Sequence, residues 1–174
     1  MCGATQVEAA LGAVVRLEVL GGRLTALETL KPATYEQWSL DILKWEIVSG
    51  KNVLGGPLRM REKAGEEAKT FEAGLGVHGP CRMVYHLDGG YEKFLALAGL
   101  DESAGALAEA NLVVKVDGKE AFRADHVKWK SAAREVSVKV AGAKELELAV
   151  EATGEHFDVQ NRVDWAEARL LRSK

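Results

Sequence analysis

Across the second half of the chain, hydrophobic side chains return at every second position. Met83, Tyr85 and Leu87 alternate with Arg82 and His86, while Leu112, Val114 and Val116 form one row, Val136, Val138 and Val140 another, and Leu146, Leu148 and Val150 a third. A two-residue period places the apolar side chains of a strand on one face. The pattern therefore predicts strands over residues 82–87, 91–98, 111–116, 120–124, 135–140, 145–151 and 163–171. Strand signals spaced about ten residues apart, each ended by turn residues, argue for an all-β sandwich whose inward rows meet in a core about 10 Å thick.

The connections sharpen this reading. Asp117-Gly118 between two strand patterns is a strong hairpin signal, because both central residues of a type I′ turn need positive φ. Residues 141–144 (Ala-Gly-Ala-Lys) predict a second hairpin, and residues 102–110, rich in Ala and Glu, a short helix or an ordered loop. The first half is less regular. Residues 24–30 read as β-like, and residues 35–69, punctuated by Gly50, Gly55-Gly56-Pro57 and Gly65, predict a long loop region on the ligand side. Val15, Leu17 and Val19 alternate with Arg16 and Glu18, so residues 1–21 predict an extra hairpin or the tail of a preceding segment, and residues 22–174 a single domain.

Composition removes several function classes. Hydrophobic residues at 47% and charged residues at 28% suit a folded domain, and no stretch approaches the roughly 18 to 20 apolar residues of a membrane-spanning helix. A net charge of -3 with scattered basic residues lacks the positive footprint that nucleic-acid backbones require. Cys2 and Cys81 are the only cysteines, and they predict two unpaired thiols; neither they nor the four histidines have metal-ligand spacing. No secretory leader is legible, since the apolar run at 11–15 is short and has no basic region before it.

Glycines 74, 76 and 79 satisfy G-x-G-x-x-G, which in a dinucleotide site must open a helix whose N-terminus holds the pyrophosphate. Here Pro80 follows at once and the two-residue alternation resumes at Arg82. A strand, not a helix, is predicted after the glycines.

Several separated segments carry a resemblance. They are Leu27-Glu28-Thr29-Leu30-Lys31-Pro32-Ala33, Gly74-Leu75-Gly76-Val77-His78, Tyr85-His86-Leu87-Asp88-Gly89, and Phe94-Leu95-Ala96-Leu97-Ala98-Gly99-Leu100-Asp101. Val116-Asp117-Gly118-Lys119, residues 138–146, Asp158-Val159-Gln160 and Asp164-Trp165-Ala166 follow in order. From about Gly22 to Arg172 the chain resembles the NPCBM family of carbohydrate-binding modules, especially the form found in large extracellular proteins of planctomycete-like bacteria. The resemblance implies a jelly-roll-like β-sandwich of the galactose-binding-domain type. It also implies an extracellular or cell-surface setting, neighbouring domains or self-association, and weak binding of a terminal galactose-like sugar without catalysis. The alternative is a structural or adhesive module of an extracellular assembly with a degenerate sugar site. The chain departs from the family where Asp101-Glu102 replaces an aspartate pair and where Asn161-Arg162 replaces Asp-His, which removes a carboxylate and an imidazole.

The candidate sugar contacts are His78, Trp38, Asp158, Gln160, Asn161 and Asp164. Planar amides and carboxylates suit vicinal hydroxyls, which donate and accept at once, and an indole offers an apolar face to a sugar's C–H surface. The same oxygen-rich stretch suits a structural Ca²⁺, with Asp101, Asp158 and Asp164 as ligands. A third reading is that these groups stitch the last loop to its neighbours. Trp165, inside the closing strand pattern, is expected in the core, and Trp38, beside Tyr35 and Gln37, on the surface. For catalysis there is no Ser-His-Asp, Cys-His or HExxH spacing.

Overall fold

The computed structural model describes residues 23–38, 44–153 and 159–173. In chain order the strands are β1 (Leu24–Ala26), β2 (Thr34–Gln37), β3 (Val48–Ser49), β4 (Leu58–Met60), β5 (Lys69–Phe71), β6 (Gly74–His78) and β7 (Cys81–His86). They continue with β8 (Tyr91–Leu100), β9 (Glu109–Val116), β10 (Lys119–Lys128), β11 (Arg134–Lys139), β12 (Glu145–Ala152) and β13 (Arg162–Arg172). All seven strands expected from the alternation are present.

Two antiparallel sheets face each other. One runs β11-β8-β13-β6-β3, with β1 paired to the far end of β13, and the other runs β10-β9-β12-β7-β2. Their inward rows close the core: Phe94, Ala98, Trp165 and Leu170 from the first sheet meet Met83, Tyr85, Leu112, Val114, Leu146 and Leu148 from the second, each at most 1% exposed. Each such side chain contributes about 1.5–3 kcal/mol by leaving water. The ribbon β4-β5 lies on the outer face of the first sheet, where Leu58, Met60 and Phe71 bury Ala166 and pack against Leu97.

Three expectations change. Residues 141–144 do not form a hairpin: β11 pairs with β8, and β12 pairs with β7 and β9, so the turn at Gly142 carries the chain from one sheet to the other. The alternating valines of β11 and leucines of β12 each need the core, and they reach it from opposite sides. Residues 24–30 give only the short β1, followed by a single 3₁₀ turn over Leu27–Thr29 in which Leu27 is buried and the Thr29 hydroxyl donates to the Ala26 carbonyl. Residues 102–108 form an irregular loop, and Glu109 and Ala110 already belong to β9. The glycine-rich run, by contrast, is strand β6, and residues 81–86 form strand β7, as the alternation requires.

Residues 1–21, with the predicted extra hairpin and Cys2, lie outside the described residues. Asp158 does too.

Candidate functional site

The registers bring the sequence candidates together at one end of the sandwich. Arg162 pairs with His78, Val163 with Leu100, Ala152 with Ala110, and Gln37 with Cys81. The ends of β2, β6, β8 and β12 and the starts of β9 and β13 therefore share one rim. Trp38, His78, Asp101, Gln160, Asn161 and Asp164 all sit on it. Asp158 is not among the described residues.

Most of these residues face inward. Asp101 and Asp164 are buried, as is Asn52 from the loop before β4. Asp101 accepts N–H bonds from Asn52 Nδ2 at 3.1 Å, from the Arg59 backbone at 3.0 Å and from the Ser103 backbone at 2.8 Å. Asp164 accepts from the same Arg59 N–H at 3.2 Å. Its other oxygen is buried without a hydrogen-bond partner. Burial first, and then hydrogen bonding to Asp101 and its negative charge, push the Asp164 carboxyl well above the ordinary carboxylate range. The environment thus favours the protonated form of Asp164.

The last loop is stitched in the same way. Asn161 accepts the Glu109 N–H through its side chain at 3.0 Å and the Gly79 N–H through its backbone carbonyl at 2.8 Å. Arg162 donates to the Ser103 carbonyl at 2.5 Å. Gln160 presses on the loop 101–108 so closely that a Cβ on Gly105 would lie 1.7 Å from its amide oxygen. Gly76 explains the glycine motif physically: a Cβ there would stand 2.4 Å from the Lys51 carbonyl, so the loop carrying Asn52 lies directly on β6.

His78 is also buried, and its ring stacks on Trp45 at 4.8 Å between centroids, 8° from parallel. Trp45 is held in turn by its backbone N–H to Gln37 Oε1 at 2.9 Å and by its carbonyl, which accepts from the Tyr35 hydroxyl at 2.8 Å. Trp38 differs from all of these. It is 51% exposed, its backbone N–H donates to the Pro80 carbonyl at 3.1 Å, and with Pro80, Ala149 and Ala152 it lines a depression of about 410 Å³. Trp165 is fully buried in the core. Cys81 is a buried free thiol, pushed up to about 12 by burial.

A calcium ion needs six to eight oxygen ligands. The oxygens of Asp101 are occupied by N–H donors, which cannot ligate a cation, and no third His, Cys, Asp or Glu joins the pair among the described residues. Asp158, the third expected ligand, lies outside the described residues.

Sequence reasoning missed Asn52, Trp45 and Gln37. Asn52 had a signal: an Asn two residues before Leu54 and four before Gly56 forms a side-chain turn, and its oxygen accepts both backbone N–H groups, at 3.1 and 2.9 Å. The stacking of Trp45 on His78 had none, since it joins residues remote in sequence.

Comparison with known proteins agrees with this architecture. Residues 26–171 match the family described as NPCBM/NEW2 domain. Among solved structures, the CBM51-2 and INT domains from Clostridium perfringens ZmpB superpose with a TM-score of 0.77 at 22% identity, covering 86% of this chain and 31% of that one. The CBM51 of Clostridium perfringens GH95, solved in complex with methyl-galactose, gives 0.76 at 22% identity, covering 84% of this chain and 99% of that one. At this identity the likeness establishes the fold. A Renibacterium salmoninarum protein named for an endo-alpha-N-acetylgalactosaminidase activity is 27% identical over 161 residues, which span 86% of this chain but only 10% of that protein.

Proposed function

The chain belongs to the NPCBM/NEW2 domain family, and we propose that it acts as a non-catalytic carbohydrate-binding module for a terminal galactose-like sugar, working within a larger extracellular protein. The observation that carries the reading is the isolation of Trp38. Every other described candidate at the rim is partly or wholly buried, whereas this indole stands 51% exposed beside the loops that the family resemblance assigns to the ligand. A large apolar ring left in water costs free energy, and stacking on a sugar's C–H face recovers it.

In this proposal the buried groups position and do not touch sugar. His78 and Trp45 form a stacked base next to the Pro80 bend, and Asn161, Arg162 and Asp101 fix the loops around it. Polar contacts fall to Gln160 and to Asp158 on the adjoining loop. The GlcNAc and methyl-galactose complexes of the Clostridium perfringens CBM51 modules support a saccharide as the ligand class. A structural Ca²⁺ held by Asp101, Asp158 and Asp164 would rigidify the same rim, and a melting temperature that is unchanged by chelator removes it from the proposal. The share of each larger relative that this chain spans supports a role as one module among several.

A shallow site of this kind binds with a dissociation constant on the order of 0.1–1 mM, about 4–5.5 kcal/mol. Affinity electrophoresis in galactose-bearing glycans tests it. Wild type is expected to be retarded, and Trp38→Ala to migrate freely while melting as cooperatively as wild type. If wild type is not retarded on any glycan of a broad array, the structural or adhesive reading takes its place.

A further inference from the structure

Beside Trp38 the outer face of the second sheet is shaped in a way that a monosaccharide site does not require. The outward positions of β10, β9, β12, β7 and β2 line up across the sheet as Arg123, Val113, Ala149, Arg82 and Glu36. Between the two arginines the row drops to a valine and an alanine. Ala149 forms the floor of the Trp38 depression, with Lys115 and Glu147 on one side and Glu151 and Pro80 on the other. Val113 is itself covered, and it is at Ala149 that a larger outward residue would fill the depression.

Every cation around it is already paired. Arg82 meets Glu36 at 2.8 Å and Glu147 at 3.8 Å, Lys115 meets Glu147 at 2.9 Å, and Arg123 meets Glu151 at 3.0 Å, Glu120 at 2.8 Å and Asp125 at 3.0 Å. Three cations thus face five carboxylates, and an anionic ligand would have to break pairs that are already made. Hydroxyl groups need not. They accept from guanidinium and ammonium and donate to carboxylate oxygens without separating the pairs.

We propose that this channel is a second subsite, which receives a neutral sugar unit of the same glycan whose terminal residue stacks at Trp38. The inference rests on the carbohydrate-binding reading. Trp38 and Pro80 belong both to the loop rim and to the channel wall, so a glycan leaving the rim runs onto Ala149 without crossing a ridge. The module then prefers a neutral oligosaccharide to its terminal sugar alone and gains nothing from an acidic one.

Calorimetric titration of the full chain with methyl galactoside, a neutral galactose-terminated trisaccharide and its sialylated counterpart tests this. The neutral trisaccharide is expected to bind about fivefold or more tighter than the methyl glycoside, and the sialylated one no tighter than the neutral one. Ala149→Phe fills the channel and is expected to remove the trisaccharide's advantage over the methyl glycoside. Glu147→Gln keeps the size of the side chain and is expected to weaken the trisaccharide about two- to fivefold, so the test survives a misfolded Ala149→Phe. Equal affinities for the two neutral ligands in wild type overturn the subsite, as does a trisaccharide advantage that both variants retain. If wild type binds none of the three, the carbohydrate reading itself falls.

Discussion

At one end of the sandwich the strands are joined by tight turns, and at the other, apart from the two-residue Gly79-Pro80 connection, by long loops pinned from inside. β9 passes to β10 through Asp117 and Gly118, with φ of 48° and 76°, and the Asp117 carboxylate also accepts the Lys144 and Glu145 N–H groups at 2.9 Å. There, local backbone preference decides the connection. At the opposite rim, residues 50–57, 101–108 and 159–161 are held to one another and to the strands by Asp101, Asn52, Asn161 and Gln160, buried or half-buried. The difference teaches why only one end suits a ligand. A turn that is its own support has no face to spare, whereas loops fixed from beneath can present a ring such as Trp38 to solvent.

The comparison breaks most sharply at Asp101. Asp101→Ala strands the Ser103 N–H in a buried site and takes one of two acceptors from the Asn52 amide and the Arg59 N–H, which keep the Pro57 carbonyl and Asp164. The expected loss is about 2–3 kcal/mol in urea unfolding, because a stranded donor keeps its desolvation cost and the two weakened ones add to it. A loss below about 1 kcal/mol would mean that the loops at this rim support themselves as the turns do.

At the tight-turn end the expected effect is smaller. Gly118→Ala meets nothing within 4 Å, so its only cost is the left-handed backbone at φ +76°, about 1 kcal/mol. The same assay measures it. A loss as large as that of Asp101→Ala would erase the distinction between the two ends.

This contrast also marks what could be read before the fold was known. The strands were legible because burial on one face forces a period of two, and the Asp117-Gly118 turn because its backbone demands particular residues. The false hairpin at 141–144 shows the limit: the local pattern of a turn is the same whether the chain returns in its own sheet or crosses to the other. The choice depends on which face the core occupies, and that is a property of the assembled sandwich. The rim residues are legible as polar positions that either touch a ligand or stitch the last loop, and the sequence does not choose between the two. Burial of His78, Asn161 and Asp164 depends on which loop closes over them, and a polar side chain in a loop pattern gives no sign of that.

The finest test lies within the buried pair itself. Asp164 has its carboxyl raised by burial, by hydrogen bonding to Asp101 and by the Asp101 charge. A folded carboxyl that holds its proton above the unfolded value of 3.8 binds more protons than the unfolded chain does. Stability from this group is therefore fully present below that value and is lost as the pH rises through the folded one. Asp164→Asn keeps the shape, the acceptor for Arg59 and a donor toward Asp101, but has no proton to lose. At pH 4 the two proteins are expected to differ little, and between pH 4 and 8 wild type should lose stability relative to the variant in paired urea titrations. Subtracting one curve from the other removes the groups they share. A difference that stays constant over that range, or that grows in favour of wild type, would mean that Asp164 is ionised in the folded protein and that something other than a proton stabilises the two carboxylates.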